Sequence, residues 1–303
     1  MAGEVVVVER AIVIGAGSIG LRHHRVLEGL GLDVYTVSRR ADVADFTSVA
    51  EAVREVNPGY VVVATETERH RESLMTLVEA DYGARVLLEK PALDRVEPFP
   101  AVGFRSIAVG YQLRFHPAVR ALRRAIEGQR VLSAQVRYGQ FLPDWRPTRD
   151  YRETVTAGPA GGVLLELSHE LDLVSWLLGP VTVLFGQAIS TGLFEMERDD
   201  LAVGVLETTS GVLVGLELNC HDRVQNRTFI VTTDQHHVAL DLVGGTVEVD
   251  GVEVFGDPIE RDDVFAAMHR SVLDGGTEAC TIEEAMAVLS LTEGLRSGTP
   301  WTC

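Results

Sequence analysis

The residues best suited to move a proton in the first part of the chain are found in Glu89-Lys90-Pro91. This tripeptide directly follows Val86–Leu88, an apolar run that indicates a buried strand. Ligands of open α/β sheets bind beyond the carboxyl ends of the strands. A partly buried lysine at that edge can contact a cofactor and exchange a proton near neutral pH. We therefore predict that Lys90 is a catalytic acid–base residue that contacts both cofactor and substrate, and that Glu89 contacts the cofactor.

A second set of proton-exchanging residues lies on a predicted helix, Val163–Leu178. Glu166, His169 and Asp172 are spaced three residues apart, which places them on one helical face. A histidine flanked by carboxylates can hold one tautomer and exchange a proton near neutral pH. The alternative is a surface histidine with no function, but the preceding Gly161-Gly162 permits close approach of a backbone or a ligand. We predict that all three are catalytic and that His169, the proton donor or acceptor, also contacts the substrate.

A glycine-rich loop, Gly15 to Gly20, stands between an apolar run, Ala11–Ile14, and a helical pattern over Leu21–Leu30. Its Gly-x-Gly-x-x-Gly spacing lets a pyrophosphate lie against the backbone at a helix N-terminus, where free N–H groups and the dipole favour an anion. A purely structural tight turn is the alternative. We predict a dinucleotide site formed by five residues of this loop: Gly15, Gly17, Ser18, Ile19 and Gly20.

The end of the second predicted strand distinguishes the two nicotinamide cofactors. NAD-binding chains place an acidic residue there to bind the ribose 2′-hydroxyl, whereas this chain has Ser38-Arg39-Arg40, and Asp42 lies beyond the expected position. A hydroxyl and two guanidinium groups suit a 2′-phosphate, so we favour NADP(H) over NAD(H). The alternative is that the arginines only solvate a loop. Thr65 is a further candidate for cofactor contact, and Gln112 for substrate contact.

The elements that must position these residues belong to two different architectures. In the first third of the chain, short β-branched runs alternate with helical patterns, which predicts a parallel sheet with helices on both faces. After Phe115-His116-Pro117, the predicted helix Val163–Leu178 is followed by successive strand-like runs. We predict an α/β protein with a Rossmann-type, doubly wound domain at 1–113 and an α+β domain with a large open, mainly antiparallel sheet at 114–303.

Composition excludes several classes of partner. The formal net charge of −17 over 303 residues argues against a nucleic acid or an anionic membrane surface, because both require a concentrated basic face. No apolar run approaches the roughly 18–20 residues of a membrane span, and the run Val5–Val8 is interrupted by charged residues. The three cysteines lack metal-ligand spacing and indicate a reducing compartment. We expect a cytoplasmic protein that needs no metal and forms a homodimer or homotetramer.

Three motifs together resemble the glucose–fructose oxidoreductase/inositol dehydrogenase/rhizopine-catabolism (Gfo/Idh/MocA) family. They are the glycine loop, Glu89-Lys90-Pro91 and the segment from Gly161 to Asp172, and the similarity extends from about Ala11 to the last predicted helix. The resemblance implies a Rossmann domain followed by a substrate-binding and oligomerisation domain. It also implies hydride exchange between a nicotinamide and a sugar or cyclitol, with Lys90 and His169 on either side of the substrate.

The predicted loop from Leu142 to Arg152 more loosely resembles family members of amino-sugar pathways. Its aromatic and arginine side chains, Trp145, Arg146 and Tyr151, are suited to stack on a sugar ring and to bind its hydroxyls or a phosphate. An arginine- and aspartate-rich connector with no ligand is the alternative. We take these three residues as candidates for substrate binding.

The chain departs from the family pattern at two places. Leu165 occupies the position where many relatives have an aspartate, four residues before the helix histidine, and Glu166 is the candidate substitute. The turn after the predicted strand Val61–Ala64 begins Thr65-Glu66-Thr67 instead of containing the usual asparagine. These differences concern the details of the reaction and leave the predicted fold unchanged.

The combined prediction is an NADP(H)-dependent oxidoreductase that interconverts a hydroxyl and a ketone on a sugar, amino sugar, sugar nucleotide or cyclitol. One alternative is a glycosidase-type family member that oxidises its substrate transiently with tightly bound NAD and has no net turnover of free cofactor. The other alternative is a ligand-sensing regulator without catalysis. Retention of both Lys90 and His169 argues against the regulator, because a sensor needs neither residue.

Overall fold

The computed structural model describes residues 9–298, so Val5–Val8 and Cys303 lie outside the described part. The described chain divides into two compact units. The first contains the residues up to 93, residues 97–112 and residues 260–285, and the second contains the rest. The chain therefore changes unit near residue 113, beside the predicted boundary. It differs from two continuous segments because 260–285 returns to the first unit.

The first unit is built on a five-stranded parallel sheet with the order β2-β1-β3-β4-β5. All five strands are short and all except β4 are at least half β-branched, and the central three are fully buried over most of their length, as expected for a sheet with both faces covered. This confirms the predicted Rossmann-type sheet. The strands are β1 (Arg10–Ile14), β2 (Asp33–Val37), β3 (Tyr60–Val63), β4 (Arg85–Leu88) and β5 (Ser106–Val109).

The helices that accompany this sheet are mostly amphipathic and end at recognisable signals. Helix α2 is capped by the Ser48 hydroxyl, which accepts a hydrogen bond from the Glu51 N–H, and ends at Asn57 in a left-handed conformation. Helix α7 comes from the last part of the chain yet packs on α1 within the first unit. These helices are α1 (Ser18–Gly29), α2 (Val49–Val56), α3 (His70–Glu79) and α7 (Arg261–Leu273).

The second unit contains an eight-stranded sheet with the order β13-β12-β11-β10-β6-β9-β8-β7. Every neighbouring pair is antiparallel except β6 and β9, which confirms a large, mainly antiparallel sheet. Burial alternates along β8, so one face of the sheet packs on the core. The strands are β6 (Val131–Gly139), β7 (Val181–Ile189), β8 (Leu201–Thr208), β9 (Leu213–Asn219), β10 (Asn226–Thr233), β11 (His237–Asp241), β12 (Thr246–Val249) and β13 (Val252–Phe255).

Strand β13 has no counterpart among the predicted strands, because Val252–Phe255 is short and mostly exposed. It pairs with β12 through a hairpin at Asp250-Gly251, where both residues have positive φ angles, as a two-residue hairpin turn requires. The Asp-Gly dipeptide was therefore the available sequence signal for this strand.

The predicted helix Val163–Leu178 is interrupted at Leu167. The structure has a short helix, α5 (Val163–Glu166), and a longer one, α6 (Ser168–Leu178). The Ser168 hydroxyl donates to the Leu165 carbonyl, and the Glu170 N–H donates to the Leu167 carbonyl, so bonds to the residue three positions back replace regular helical ones here. The remaining helices are α4 (Pro117–Ile126) and α8 (Ile282–Ser297).

No helix within residues 9–298 has both the length and the apolar character needed to cross a membrane. Over the same residues, no group of three or more histidine, cysteine, aspartate and glutamate side chains is arranged to hold a metal ion.

Three histidines make the stability of the fold sensitive to acid. Burial lowers the pKa of His70 and, strongly, that of His269, and burial with the nearby Arg227 guanidinium lowers the pKa of His116 to about 4. Each ring is neutral in the fold. In the unfolded chain it takes up a proton when the pH falls below the ordinary histidine pKa of 6.5. Their contribution to the free energy of unfolding is therefore fully present above about pH 6.5 and is lost progressively as the pH falls below that value.

We expect the thermal unfolding midpoint to fall between pH 7.5 and pH 5, and His116→Gln to flatten this dependence. His237→Gln is the control, because His237 is exposed. Equal slopes for the wild type and His116→Gln would contradict the assignment of His116.

Candidate active site

The glycine loop has a backbone geometry that other residues cannot adopt. Gly15 has a φ of +116°, and a Cβ added to it would lie 2.3 Å from the Ala64 carbonyl oxygen. A Cβ on Gly20 would lie 1.9 Å from the Gly15 carbonyl oxygen. These two glycines therefore allow β1, α1 and the end of β3 to pack closely.

Gly17 is different, because a Cβ added to it would meet no described atom within 4 Å. Gly17 is the N-cap residue of α1, has extended backbone, and provides no side chain to cap the helix. No acidic residue occupies the first turn, which contains Ser18 and Ile19. Free N–H groups and the positive end of the helix dipole thus lie next to open space, which fits the pyrophosphate of a dinucleotide.

Ser38, Arg39 and Arg40 lie beside this loop. An Nη2 of Arg40 donates to the Ala16 carbonyl at 2.7 Å, and the Arg40 N–H donates to the Ser38 hydroxyl at 3.2 Å. Arg39 is exposed. The structure thus brings one predicted guanidinium group onto the glycine loop, where it can neutralise a phosphate.

His70 joins the segments that follow β3 and β4. Its Nε2 lies 3.2 Å from the Thr65 carbonyl, and its Nδ1 lies 3.1 Å from the Pro91 carbonyl. The Thr65 hydroxyl is 3.2 Å from the Ser73 hydroxyl on α3. This buried imidazole therefore lies between Thr65 and the chain after Lys90, at the carboxyl edge of the sheet, and when neutral it donates its single N–H to one of the two carbonyls.

Glu89 and Lys90 are placed as predicted, directly after β4. Glu89 is 7% exposed, and its Oε1 lies 2.8 Å from Nε2 of His23, a residue of α1. Its other oxygen accepts a hydrogen bond from the Lys90 N–H at 3.3 Å. The carboxylate is therefore held by protein groups. Gln112, the last residue assigned to the first unit, is half-buried in a short 3-10 helix.

Asp172 in the second unit forms an ion pair with Arg114. The Arg114 Nη2 lies 2.6 Å from Oδ1, and its Nε lies 3.1 and 3.0 Å from the two carboxylate oxygens. The side chains are 2% and 0% exposed, so each charge requires the other. The helical spacing of Asp172 did not reveal this pairing with Arg114, and a catalytic role for Asp172 stays a prediction.

His169 is 8% exposed near the start of α6, whereas Glu166 belongs to α5 and is half-buried. The interruption at Leu167 removes the regular three-residue helical spacing that was the basis for pairing them. Burial, together with the carboxylates of Asp200 and Glu166, raises the pKa of the Cys220 thiol. A catalytic role for Glu166 stays a prediction, without support from helical geometry.

The start of α5 is fixed by residues that the sequence did not single out. Asp199 accepts hydrogen bonds from the Val163 N–H, through its carbonyl, and from the Leu164 N–H, through its carboxylate, at 2.8 and 2.9 Å. Arg296 in turn lies 2.9 Å from the Asp199 carboxylate. Gly162 has a φ of +91°, and a Cβ there would lie 2.8 Å from the Arg198 Cβ. Gly162 thus allows close approach of a side chain, and Gly161 allows close approach of the Val155 and Thr156 backbone.

The predicted substrate loop lines a small cleft in the second unit, with a cavity volume of about 10 Å³. Trp145, Arg146 and Tyr151 are brought together there, while His169 is not one of the lining residues. Trp145 stacks on Tyr138 at an interplanar angle of 7° and donates from its indole to the Gln140 carbonyl. The wall is completed by Leu142, Arg149, Thr154 and Thr156.

Other charged residues of this loop are paired with one another. Arg152 lies 3.1 Å from Asp150 and 3.1 Å from Glu195, on the exposed side of the loop. The Tyr151 hydroxyl accepts a hydrogen bond from the Glu195 N–H at 3.3 Å. Arg146 and Arg149 are the arginines that line the cleft, and the Arg149 guanidinium donates to the Glu153 carbonyl at 2.8 Å.

Comparison with known proteins agrees with this geometry. Residues 32–101 match the family described as "Oxidoreductase family, NAD-binding Rossmann fold", and residues 118–238 match the "GFO/IDH/MocA C-terminal domain". Inositol 2-dehydrogenase 2 of Paenarthrobacter aurescens is 30% identical over 95% of this chain and 92% of its own length. UDP-N-acetylglucosamine 3-dehydrogenase of Acidithiobacillus ferrooxidans is 26% identical over 87% and 85%.

A solved structure supports the fold over the same extent. The WlbA dehydrogenase from Bordetella pertussis, in complex with NADH and UDP-GlcNAcA, covers 97% of this chain and 100% of its own, with a TM-score of 0.76 and 19% identity. Both sheets, the glycine loop and the family matches thus lead to one assignment. The chain belongs to the GFO/IDH/MocA family and is an oxidoreductase of the sugar and cyclitol dehydrogenase kind.

Proposed function

We propose that this protein is an NADP(H)-dependent oxidoreductase that interconverts a hydroxyl and a ketone on a sugar, amino sugar, sugar nucleotide or cyclitol. One observation about Lys90 carries the acid–base part of this proposal. Of the 27 lysine and arginine residues in the chain, Lys90 is the only lysine. Arginine stays protonated at all working pH values, whereas a lysine amine can lose its proton. The one titratable amine side chain therefore stands at the carboxyl edge of the parallel sheet.

NADP(H) is the cofactor that fits the glycine loop and its neighbours. Arg40 lies on the loop carbonyl and Arg39 is exposed beside it, so two positive groups are available to a 2′-phosphate. When bound, the nicotinamide supplies or accepts the hydride. Oxidation of a carbinol also releases a proton, and reduction of a ketone takes one up. Lys90 and His169 are our candidates to hold that proton at the Nζ atom and the imidazole ring, respectively.

The cleft in the second unit favours a substrate with a negative group. Arg146 and Arg149 bring two positive charges, while Trp145 and Tyr151 offer aromatic surfaces for a sugar ring. Curated relatives act on a neutral cyclitol in one case and on a sugar nucleotide in the other, as their names state. The two guanidinium groups favour the anionic class for this chain.

The open sheet of the second unit is the surface on which we expect a second copy to pack, giving a homodimer or homotetramer. The other partners that we expect for the protein are the cofactor and a small polyhydroxylated substrate. We expect the protein to act in the cytoplasm.

The test of this function is a substrate panel. Neutral sugars, cyclitols, uronic acids and sugar nucleotides are incubated with NADP⁺ or NAD⁺, and their keto forms with NADPH or NADH, while nicotinamide absorbance is followed. We expect net cofactor turnover with at least one class, faster with NADP(H). Absence of turnover across the panel by a folded protein would contradict the proposal.

Replacing Arg146 tests the substrate class. We expect Arg146→Ala to raise the KM of an anionic substrate roughly 10- to 100-fold, the effect of losing one charge-assisted hydrogen bond. Arg152→Ala is the matched control, because that guanidinium is paired with Asp150 and Glu195. Equal KM values for wild type and Arg146→Ala would exclude Arg146 from the substrate site.

A further inference from the structure

Four buried side chains of the first unit form a continuous hydrogen-bonded chain. The Tyr60 hydroxyl lies 2.9 Å from Nδ1 of His269, whose Nε2 lies 2.9 Å from Nδ1 of His23. Nε2 of His23 lies 2.8 Å from Oε1 of Glu89. Tyr60, His269 and His23 are each 0% exposed, and Glu89 is 7% exposed. We refer to these four residues as the buried relay.

The relay is assembled from distant parts of the sequence. His23 lies on α1, Tyr60 opens β3, Glu89 follows β4, and His269 is provided by α7. The ring of Phe265, also on α7, packs edge-on against His23 at 5.3 Å. The return of residues 260–285 to the first unit therefore completes the relay.

Burial sets the protonation state of two relay members. It raises the pKa of Tyr60 well above its usual value and lowers that of His269 well below its usual value, so the first is a phenol and the second a neutral imidazole. A neutral His269 donates from one ring nitrogen and accepts at the other, so it lies between the Tyr60 hydroxyl and Nδ1 of His23 as donor to one and acceptor from the other. With Glu89 accepting as a carboxylate, Nε2–H of His23 donates to its Oε1 in either case.

Several other charged or titratable groups lie next to the buried relay. The His70 ring and Lys90 adjoin Glu89. Tyr82 and the Glu9–Arg85 ion pair influence the pKa of Tyr60. Two arginines lie over the Phe265 ring, Arg22 and Arg261.

The Glu89 carboxylate occupies a space that exists because residue 110 is a glycine. A Cβ added to Gly110 would lie 2.8 Å from the Glu89 Oε1. The other carboxylate oxygen accepts from the Lys90 N–H. The acceptor at the end of the relay thus fixes the backbone of the only lysine of the chain.

We propose that Tyr60, His269 and His23 are positioning residues, which hold Glu89 as a carboxylate so that the Glu89-Lys90 segment is preorganised for the nicotinamide cofactor. This inference rests on the proposed function, since it assigns the segment to cofactor binding. It also changes the role expected for Glu89, from a residue that contacts the cofactor to one that positions Lys90. Preorganisation raises affinity because less conformational freedom is lost on binding.

The contact between His23 and Glu89 is tested by nuclear magnetic resonance on full-length, cofactor-free protein labelled with ¹⁵N-histidine. We expect Nε2 of His23 to carry a proton between pH 6 and 8, because it donates to the Glu89 carboxylate. Signals are assigned from spectra of His23→Gln and His269→Gln. An unprotonated Nε2 in His23 would overturn the proposal, because Glu89 would then be the donor.

The role of the relay is tested by NADPH binding, measured from its fluorescence. His23→Leu removes the donor to Glu89, and Gly110→Ala displaces the carboxylate while all four relay members remain. We expect each to raise the Kd for NADPH about tenfold. His23→Gln keeps a donor at the matching position and should bind within about threefold of wild type. Gly103→Ala is the control, because a Cβ there meets no described atom within 4 Å.

A merely structural role would lower the unfolding temperature and leave the Kd of the folded fraction unchanged. Wild-type affinity in both His23→Leu and Gly110→Ala would therefore overturn the inference, as would a failure of His23→Gln to restore binding. If His23→Leu does not fold, the Kd values of Gly110→Ala and His23→Gln for NADPH decide whether the relay has a positioning role. Wild-type protein that binds neither NADPH nor NADH would instead contradict the proposed function, so the two failures are distinguishable.

Discussion

Lys90→Ala is expected to reduce turnover at least about 100-fold while the protein still folds and binds NADPH, because a positioned acid–base group contributes about this much. The residue follows β4 at the edge where ligands of such sheets bind, and its N–H is held by the Glu89 carboxylate. The measurement is kcat on the substrate identified by the panel, with the NADPH Kd determined in parallel. Near-normal turnover would show that Lys90 is not catalytic.

Lys90→Arg separates two possible roles of this lysine. An arginine keeps the positive charge but does not release its proton in the working pH range. Proton exchange by Lys90 predicts that Lys90→Arg is as inactive as Lys90→Ala. A purely electrostatic role predicts that it recovers most of the lost turnover. Because Lys90 is the only lysine of the chain, ¹³C-lysine labelling gives one side-chain signal, which should shift when NADPH binds.

Arg39→Ala is expected to weaken NADPH binding roughly 10- to 100-fold and to change NADH binding little, because only NADPH has a 2′-phosphate to pair with the guanidinium. Arg39 is exposed beside the glycine loop, whereas Arg40 also bonds the Ala16 carbonyl of that loop. Arg40→Ala should therefore weaken both cofactors. Fluorescence titration with NADPH and NADH measures each change.

The matched control for charge is Arg54→Ala, which removes an exposed guanidinium of α2 in the same unit. It should leave both dissociation constants close to wild type. Equal losses of NADPH and NADH affinity in Arg39→Ala would contradict the preference for NADP(H), although not the dinucleotide site itself. An effect of Arg54→Ala as large as that of Arg39→Ala would indicate general charge screening instead of a specific contact.

The sequence by itself determined the fold class, the parallel sheet and the glycine loop. Local patterns specify these features: the β-branched runs predict β1 and β3, and the backbone needs of Gly15 and Gly20 follow from their place between a strand and a helix. Helix α2 is bounded by local signals in the same way, because Ser48 and Asn57 provide its two caps.

Only the tertiary structure decided which charges and imidazoles meet. Helical spacing grouped Asp172 with His169 and gave no sign of its ion pair with Arg114, which lies 58 residues away along the chain. Likewise His269 bonds His23 across 246 residues, and no periodicity within a single segment reports such a contact. A buried polar group needs a partner wherever the chain can supply one. Its partner is therefore fixed by packing in three dimensions, while the local sequence specifies the strand or helix that carries it.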